Sequence, residues 1–176
     1  MHALRHHYRE ALNELEQQTL GGLDLVTEAL DRALEALRHQ DVQLAAMVIA
    51  DDDRIDGRYL EVHQGVLSLL ARQAPVAGEL RIVAALLHVI RSVERMGDQC
   101  VNVAKLIPLS GYEAPKDQHI VNAIERMGRH ARSQTAQAKQ AFMERDVELA
   151  HDLVRQDQEI NRLNRDIFAR AVKIGD

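Results

Sequence analysis

The sequence predicts an all-α protein. An antiparallel three-helix bundle spans residues 1–108, a linker spans 109–116, and an incomplete second bundle of two helices fills 117–176. Three observations predict it. Ala, Leu, Arg, Glu and Gln dominate a chain that is 3% aromatic, with no Trp and three Pro, and these are strong helix formers. Apolar residues recur at helical spacing through segments of roughly 30 residues, or about 45 Å as helix. Pro108, Gly111 and Pro115 cluster where that spacing breaks, which marks a boundary between helical units. At 176 residues, 46% hydrophobic and 28% charged, the chain suits a globular fold and argues against disorder.

The first helix is expected from about Ala3 to Arg38, with Leu12, Leu15, Leu23, Val26, Leu30, Leu34 and Leu37 on one face. Gly21–Gly22 interrupts its composition but not its period, which predicts a tight contact or slight bend. Asp41 opens the second helix as an N-cap, and the segment continues to Arg72. The third begins after Pro75 and runs from Glu79 to about Ile107. Short connections between such helices imply antiparallel neighbours. Two further helices are expected at about 117–143 and 146–173.

The second half repeats part of the first. QDVQLAAMVIADDDRID (40–56) aligns with RDVELAHDLVRQDQEIN (145–161) without a gap, with Asp41/Asp146, Leu44/Leu149, Asp52/Asp157 and Ile55/Ile160 among six identities. A duplication explains this better than chance likeness of amphipathic helices. At that offset the second unit has no counterpart of the third helix. Leu149, Leu153, Ile160, Leu163 and Ile167 should then lack a full set of partners, and self-association is the expected cover.

Chemistry-bearing residues concentrate on two helices. On the third, taking Val83 as zero, Glu94 lies about 20° and Asp98 about 60° from the centre of the apolar stripe, at 100° per residue. Asn102 continues the line, and Gly97 has no side chain to crowd it. On the second, Asp52 and Asp56 sit near the margin of the stripe formed by Leu44, Val48, Ile55, Val62 and Val66. Antiparallel packing would face both pairs into one groove. Clustered carboxylates raise one another's pKa unless a cation neutralises them, and oxygen donors suit Mg, Mn, Fe or Ca. The plainer alternative is that Glu94 pairs with Arg91 or Arg95, and that Asp51–Asp53 is a solvated charge run.

Other chemistry is sparse. The chain has no G-x-x-x-x-G-K-[ST], G-x-G-x-x-G, H-E-x-x-H or C-x-x-C. A di-iron bundle needs two Glu-x-x-His pairs, and Glu148-Leu-Ala-His151 is the single match. Cys100 reads as a packing residue, and its solitude fits a reducing compartment. His6–His7 reads as solvated. A formal net charge of −5 without a dense basic cluster disfavours nucleic acid. No segment has the length and apolarity of a membrane span, and the N-terminus lacks a signal-peptide core, so a cytoplasmic location is expected.

Residues 70–106, LARQAPVAGELRIVAALLHVIRSVERMGDQCVNVAKL, resemble the signature region of the PhoU family of phosphate-uptake regulators. The resemblance lies in Arg72-Gln73-Ala74-Pro75-Val76-Ala77, Glu79-Leu80-Arg81, and Glu94-Arg95-Met96-Gly97-Asp98 with Asn102, together with Asp52-x-x-x-Asp56. It is dense over 5–108 and loose over 117–173. It implies paired three-helix bundles and a surface metal site built from Asp52, Asp56, Glu94 and Asp98, taking Fe, Mn, Zn or Mg. It implies no catalytic residues and no organic cofactor. Its partners would be a phosphate ABC transporter ATPase and a sensor histidine kinase, at the inner face of the membrane. A homodimeric, negatively regulating adaptor follows. Departures are Asp157-x-x-x-Asn161 in the second unit, Glu79 for the usual Asp, and Ser92 where an acid often stands. A carboxylate-bridged metalloenzyme and a purely structural helical module are the rival readings.

Overall fold

A computed structural model describes residues 2–72, 74–110 and 117–175. Gln73 of the resemblance motif and most of the linker, with Gly111 and Pro115, lie outside the described residues. The helices are α1 (His2–His39), α2 (Val42–Ala50), α3 (Asp52–Arg72), α4 (Ala77–Leu106), α5 (Gln118–Glu144) and α6 (Val147–Gly175), with a 3-10 turn at Pro108–Ser110. The α1, α2–α3 and α4 segments pack on one another as a bundle, and α5 and α6 form a hairpin whose α5 lies on α1.

The expected second helix is two helices. The chain breaks at Asp51, the C-cap of α2, which keeps an αR backbone and donates its N–H to the Met47 carbonyl. No Gly or Pro announces this break. At the junction the Asp51 carboxylate takes an ion pair from Arg32 of α1, with Arg54 at 4.0 Å. The consequence falls on the next residue, because Asp52 now begins α3, where free N–H groups and the helix dipole favour a carboxylate.

The core is aliphatic. Leu20, Val26, Val48, Val62, Val66, Leu86, Ile90, Val93 and Ile107 are almost wholly shielded from solvent. Gly22 is the reason α4 approaches α1 so closely, since a Cβ there would stand 3.1 Å from Val93 Cγ1 and 3.4 Å from Ile90 Cδ1. The glycine pair expected to mark a tight contact does so inside an unbroken helix.

The α5–α1 seam combines small residues with charge pairs. Gly128 of α5 lies so close to Leu34 that any side chain there would overlap it. Along its flank Arg132 meets Asp31 at 2.9 Å, Lys139 meets Asp24 at 2.7 Å and Arg145 meets Glu16 at 2.7 Å. Each exposed pair contributes little, but together they fix the orientation of α5.

The same turn recurs at the start of both aligned segments. Gln40 and Arg145 both adopt positive φ, 52° and 56°. Asp41 and Asp146 follow them and accept hydrogen bonds from the backbone N–H groups of Leu44 and Leu149, each at 2.9 Å. On α6 the expected stripe is only partly covered. Leu163 is buried, and Leu149, Leu153, Ile160 and Ile167 are half-buried, because they turn toward α5. Among the described residues, the large apolar side chains of α6 left in solvent are Val147, Val154, Phe168 and Val172.

Candidate metal centre

The three consecutive aspartates at the α2–α3 junction meet different fates. Asp51 is neutralised by Arg32, Asp53 faces solvent, and Asp52 turns inward onto α4. A Cβ on Gly97 would stand 2.9 Å from Asp52 Oδ1 and 3.0 Å from Ile55 Cδ1. Gly97 therefore gives the carboxylate of Asp52 a seat on the α4 backbone, with Glu94 about one turn before it and Asp98 the next residue along. Of the aspartate pair inferred from helical spacing, Asp52 faces the ladder of α4 and feels the charges of Glu94 and Asp98.

The electrostatics of that seat are unfavourable without a cation. Burial, followed by the charges of Asp56, Asp98, Asp53 and Glu94, pushes the Asp52 carboxyl above its ordinary value. Among the described residues, Asp52, Asp56, Glu94 and Asp98 take part in no hydrogen bond or ion pair. The pairing of Glu94 with Arg91 or Arg95 is absent. Glu94 is half-buried, while Asp56, Asp98 and Asn102 are exposed. The four carboxylates converge electrostatically but do not close into a tight ligand cage, since the three-residue group whose ligand atoms all fall within 4.8 Å lies elsewhere, at His6, His7 and Glu10. An all-oxygen set of unpaired carboxylates, one of them raised first by burial and then by its neighbours' charges, has the donor chemistry of a site for a hard or borderline divalent or ferric ion.

The second half is built differently at the matching positions. Asn161 donates a 2.7 Å hydrogen bond to Asp157, so an amide replaces the like-charge clash and removes the demand for a cation. Cys100, buried behind the site, has its thiol pushed up to about 11 by burial and then by Asp52. It is no nucleophile at neutral pH. Glu148 and His151, the single di-iron-like pair, are both exposed on α6 and face no partner pair.

Sequence spacing missed a second charged cluster at the far end of the bundle. Glu79, buried in the first turn of α4, accepts a 3.0 Å hydrogen bond from the Val76 N–H. Arg9 and Arg5 of α1 approach it at 3.6 and 3.9 Å. The buried Tyr8 hydroxyl beside it is raised above its ordinary value by burial and by Glu79. These partners are some 70 residues apart, so only the fold could reveal them. The cluster closes the bundle end, with Glu79 held at ion-pair distance by its arginines while Glu79 Oε1, Arg5 Nε and the Tyr8 hydroxyl are buried without a hydrogen-bond partner.

The PhoU domain family matches residues 22–107 and 120–175. The chain belongs to the PhoU family. It is 29% identical over 168 residues to the phosphate-specific transport system accessory protein PhoU homolog of Clostridium acetobutylicum, covering 95% of this chain and 76% of that protein. It is 30% identical to PhoU homolog 1 of Mycobacterium leprae, covering 94% and 75%. Among solved structures, the phosphate transport system regulatory protein PhoU from Streptococcus pneumoniae superposes with a TM-score of 0.87 at 26% identity, covering 95% of this chain and 78% of that one. PhoU from Pseudomonas aeruginosa superposes with a TM-score of 0.86 at 24% identity. In this PhoU chain the first match includes every residue of the carboxylate site, from Asp52 to Asp98. No helix among the described residues is long and apolar enough to cross a membrane.

Proposed function

We propose that this PhoU chain is a non-enzymatic, cation-binding regulator of phosphate uptake. It would work as an adaptor between a phosphate ABC transporter ATPase and a sensor histidine kinase, on the cytoplasmic side. The observation that carries the proposal is the seat of Asp52 on Gly97, flanked by Glu94 and Asp98 with none of the carboxylates paired. A bound Fe, Mn, Zn or Mg ion would neutralise that charge and tie α3 to α4. The names of the relatives, an accessory protein and a regulatory protein of phosphate transport, support the regulatory role. The two family matches and the recurring Gln40–Asp41 and Arg145–Asp146 turn support descent from a duplicated bundle. Self-association through the outward α6 residues Val154 and Phe168 belongs to the same proposal, and a strict monomer in sedimentation equilibrium would contradict that part.

A cellular reporter of phosphate starvation separates the alternatives. In a strain lacking its own PhoU, the parent chain should repress the reporter at high phosphate. Glu94→Ala/Asp98→Ala should fail to repress while keeping its helicity. Full repression by that variant would leave the carboxylates without a regulatory role.

A further inference from the structure

We propose that His6, His7 and Glu10 form a second cation site, for a borderline ion such as Zn, Co, Ni or Cu, on the outer face of α1. The three lie within one turn, and their ligand atoms fall within 4.8 Å of one another. Both imidazole Nδ1 atoms address the same carboxylate oxygen, Glu10 Oε2, at 3.2 Å from His6 and 3.3 Å from His7. Charge-assisted hydrogen bonds are shorter, about 2.7–2.9 Å, and the geometry forms no hydrogen bond among the described residues. A tetrahedral ion with bonds of about 2.0 Å instead holds its ligand atoms roughly 3.3 Å apart. The two separations match that edge.

The donor set differs in kind from the carboxylate groove. Two imidazoles and one carboxylate favour ions late in the first transition row, whereas carboxylates alone suit Mg, Ca or Mn. The two sites are also remote. His6 is sixteen residues along α1 from Gly22, which faces Val93 beside Glu94, so about 24 Å of helix separates them. All three side chains are exposed, which leaves the ion open to water or to a ligand from another molecule.

The test uses the full chain, without a histidine tag, stripped of metal and titrated with Co2+. One equivalent should produce visible d–d bands of a low-coordinate site, and Zn2+ should displace it. His6→Ala/His7→Ala, both at exposed positions, should abolish the bands with circular dichroism unchanged, and Glu10→Gln should weaken them. Asp52→Asn/Asp98→Asn should retain them. Absence of the bands in the parent, or their persistence in the histidine variant, would overturn the site.

Discussion

Ile90→Ala is expected to destabilise the chain by about 3–4 kcal/mol, within the range for emptying a buried aliphatic position. Ile90 is fully shielded and its Cδ1 reaches toward Gly22 of α1. The usual remedy for such a truncation is collapse of neighbouring side chains into the space. Here the facing residue is a glycine, so nothing on that side can move in, and the cavity should persist. For a chain of this size the loss corresponds to a fall in Tm of roughly 10 °C. Leu106→Ala, at a position 62% exposed, serves as the control and should change stability by less than about 0.5 kcal/mol. Equal effects of the two substitutions in chemical denaturation would show that α4 does not pack as described.

Gly97→Val carries the second large effect, and it acts on fold and site together. The new Cβ would press on Asp52 Oδ1 at 2.9 Å and on Ile55 at 3.0–3.1 Å. Relief requires either rotation of Asp52 out of its seat or separation of α3 from α4. Overpacking of this kind costs about 1–3 kcal/mol, and the gain in helix propensity over glycine offsets about 0.5 kcal/mol of it. A net loss of roughly 1–2 kcal/mol is expected, together with loss of cation binding. Unchanged binding would mean that Asp52 is not a ligand.

The pH behaviour follows from the same seat. The raised Asp52 value means the ionised group opposes folding. That penalty is absent below the unfolded value of 3.8 and is complete above the folded value. In the metal-free chain this group therefore lowers stability as pH rises through the window above 3.8, and Asp52→Asn should be more stable than the parent at neutral pH. Comparison of metal-free melting at pH 7 tests the sign.

Much of this was legible in the sequence. Of the α4 stripe Val83, Leu87, Ile90, Gly97, Val101 and Ala104, all are buried as helical spacing implies except Leu87, which is half-buried. The stripe is wider than its period suggested, taking in Leu86, Val93 and Cys100, because α4 is covered by both α1 and α3. The placement of Glu94 and Asp98 was readable for the same reason: a long helix transmits its phase over several turns. The break at Asp51 was not, since no Gly or Pro marks it and the Asp51 backbone stays αR. The Arg5–Arg9–Glu79 cluster and the convergence of His6 and His7 on Glu10 needed three-dimensional neighbours or rotamers that spacing does not specify. On α6, periodicity found the apolar stripe but not which face α5 would cover.

The central question is whether the carboxylates of α3 and α4 hold a cation. The direct measurement is thermal unfolding of the tag-free chain with its His6/His7 site removed, with and without Mn2+, Fe2+, Zn2+ or Mg2+, alongside Glu94→Ala/Asp98→Ala. At a hundredfold excess over Kd, one site adds about 2.7 kcal/mol, or a rise in Tm of roughly 5–10 °C for a chain of this size. That rise should occur with at least one of these ions in the chain that keeps Glu94 and Asp98 and vanish in the variant that lacks them. No rise with any of the four ions at millimolar concentration, or an equal rise in both, would contradict it.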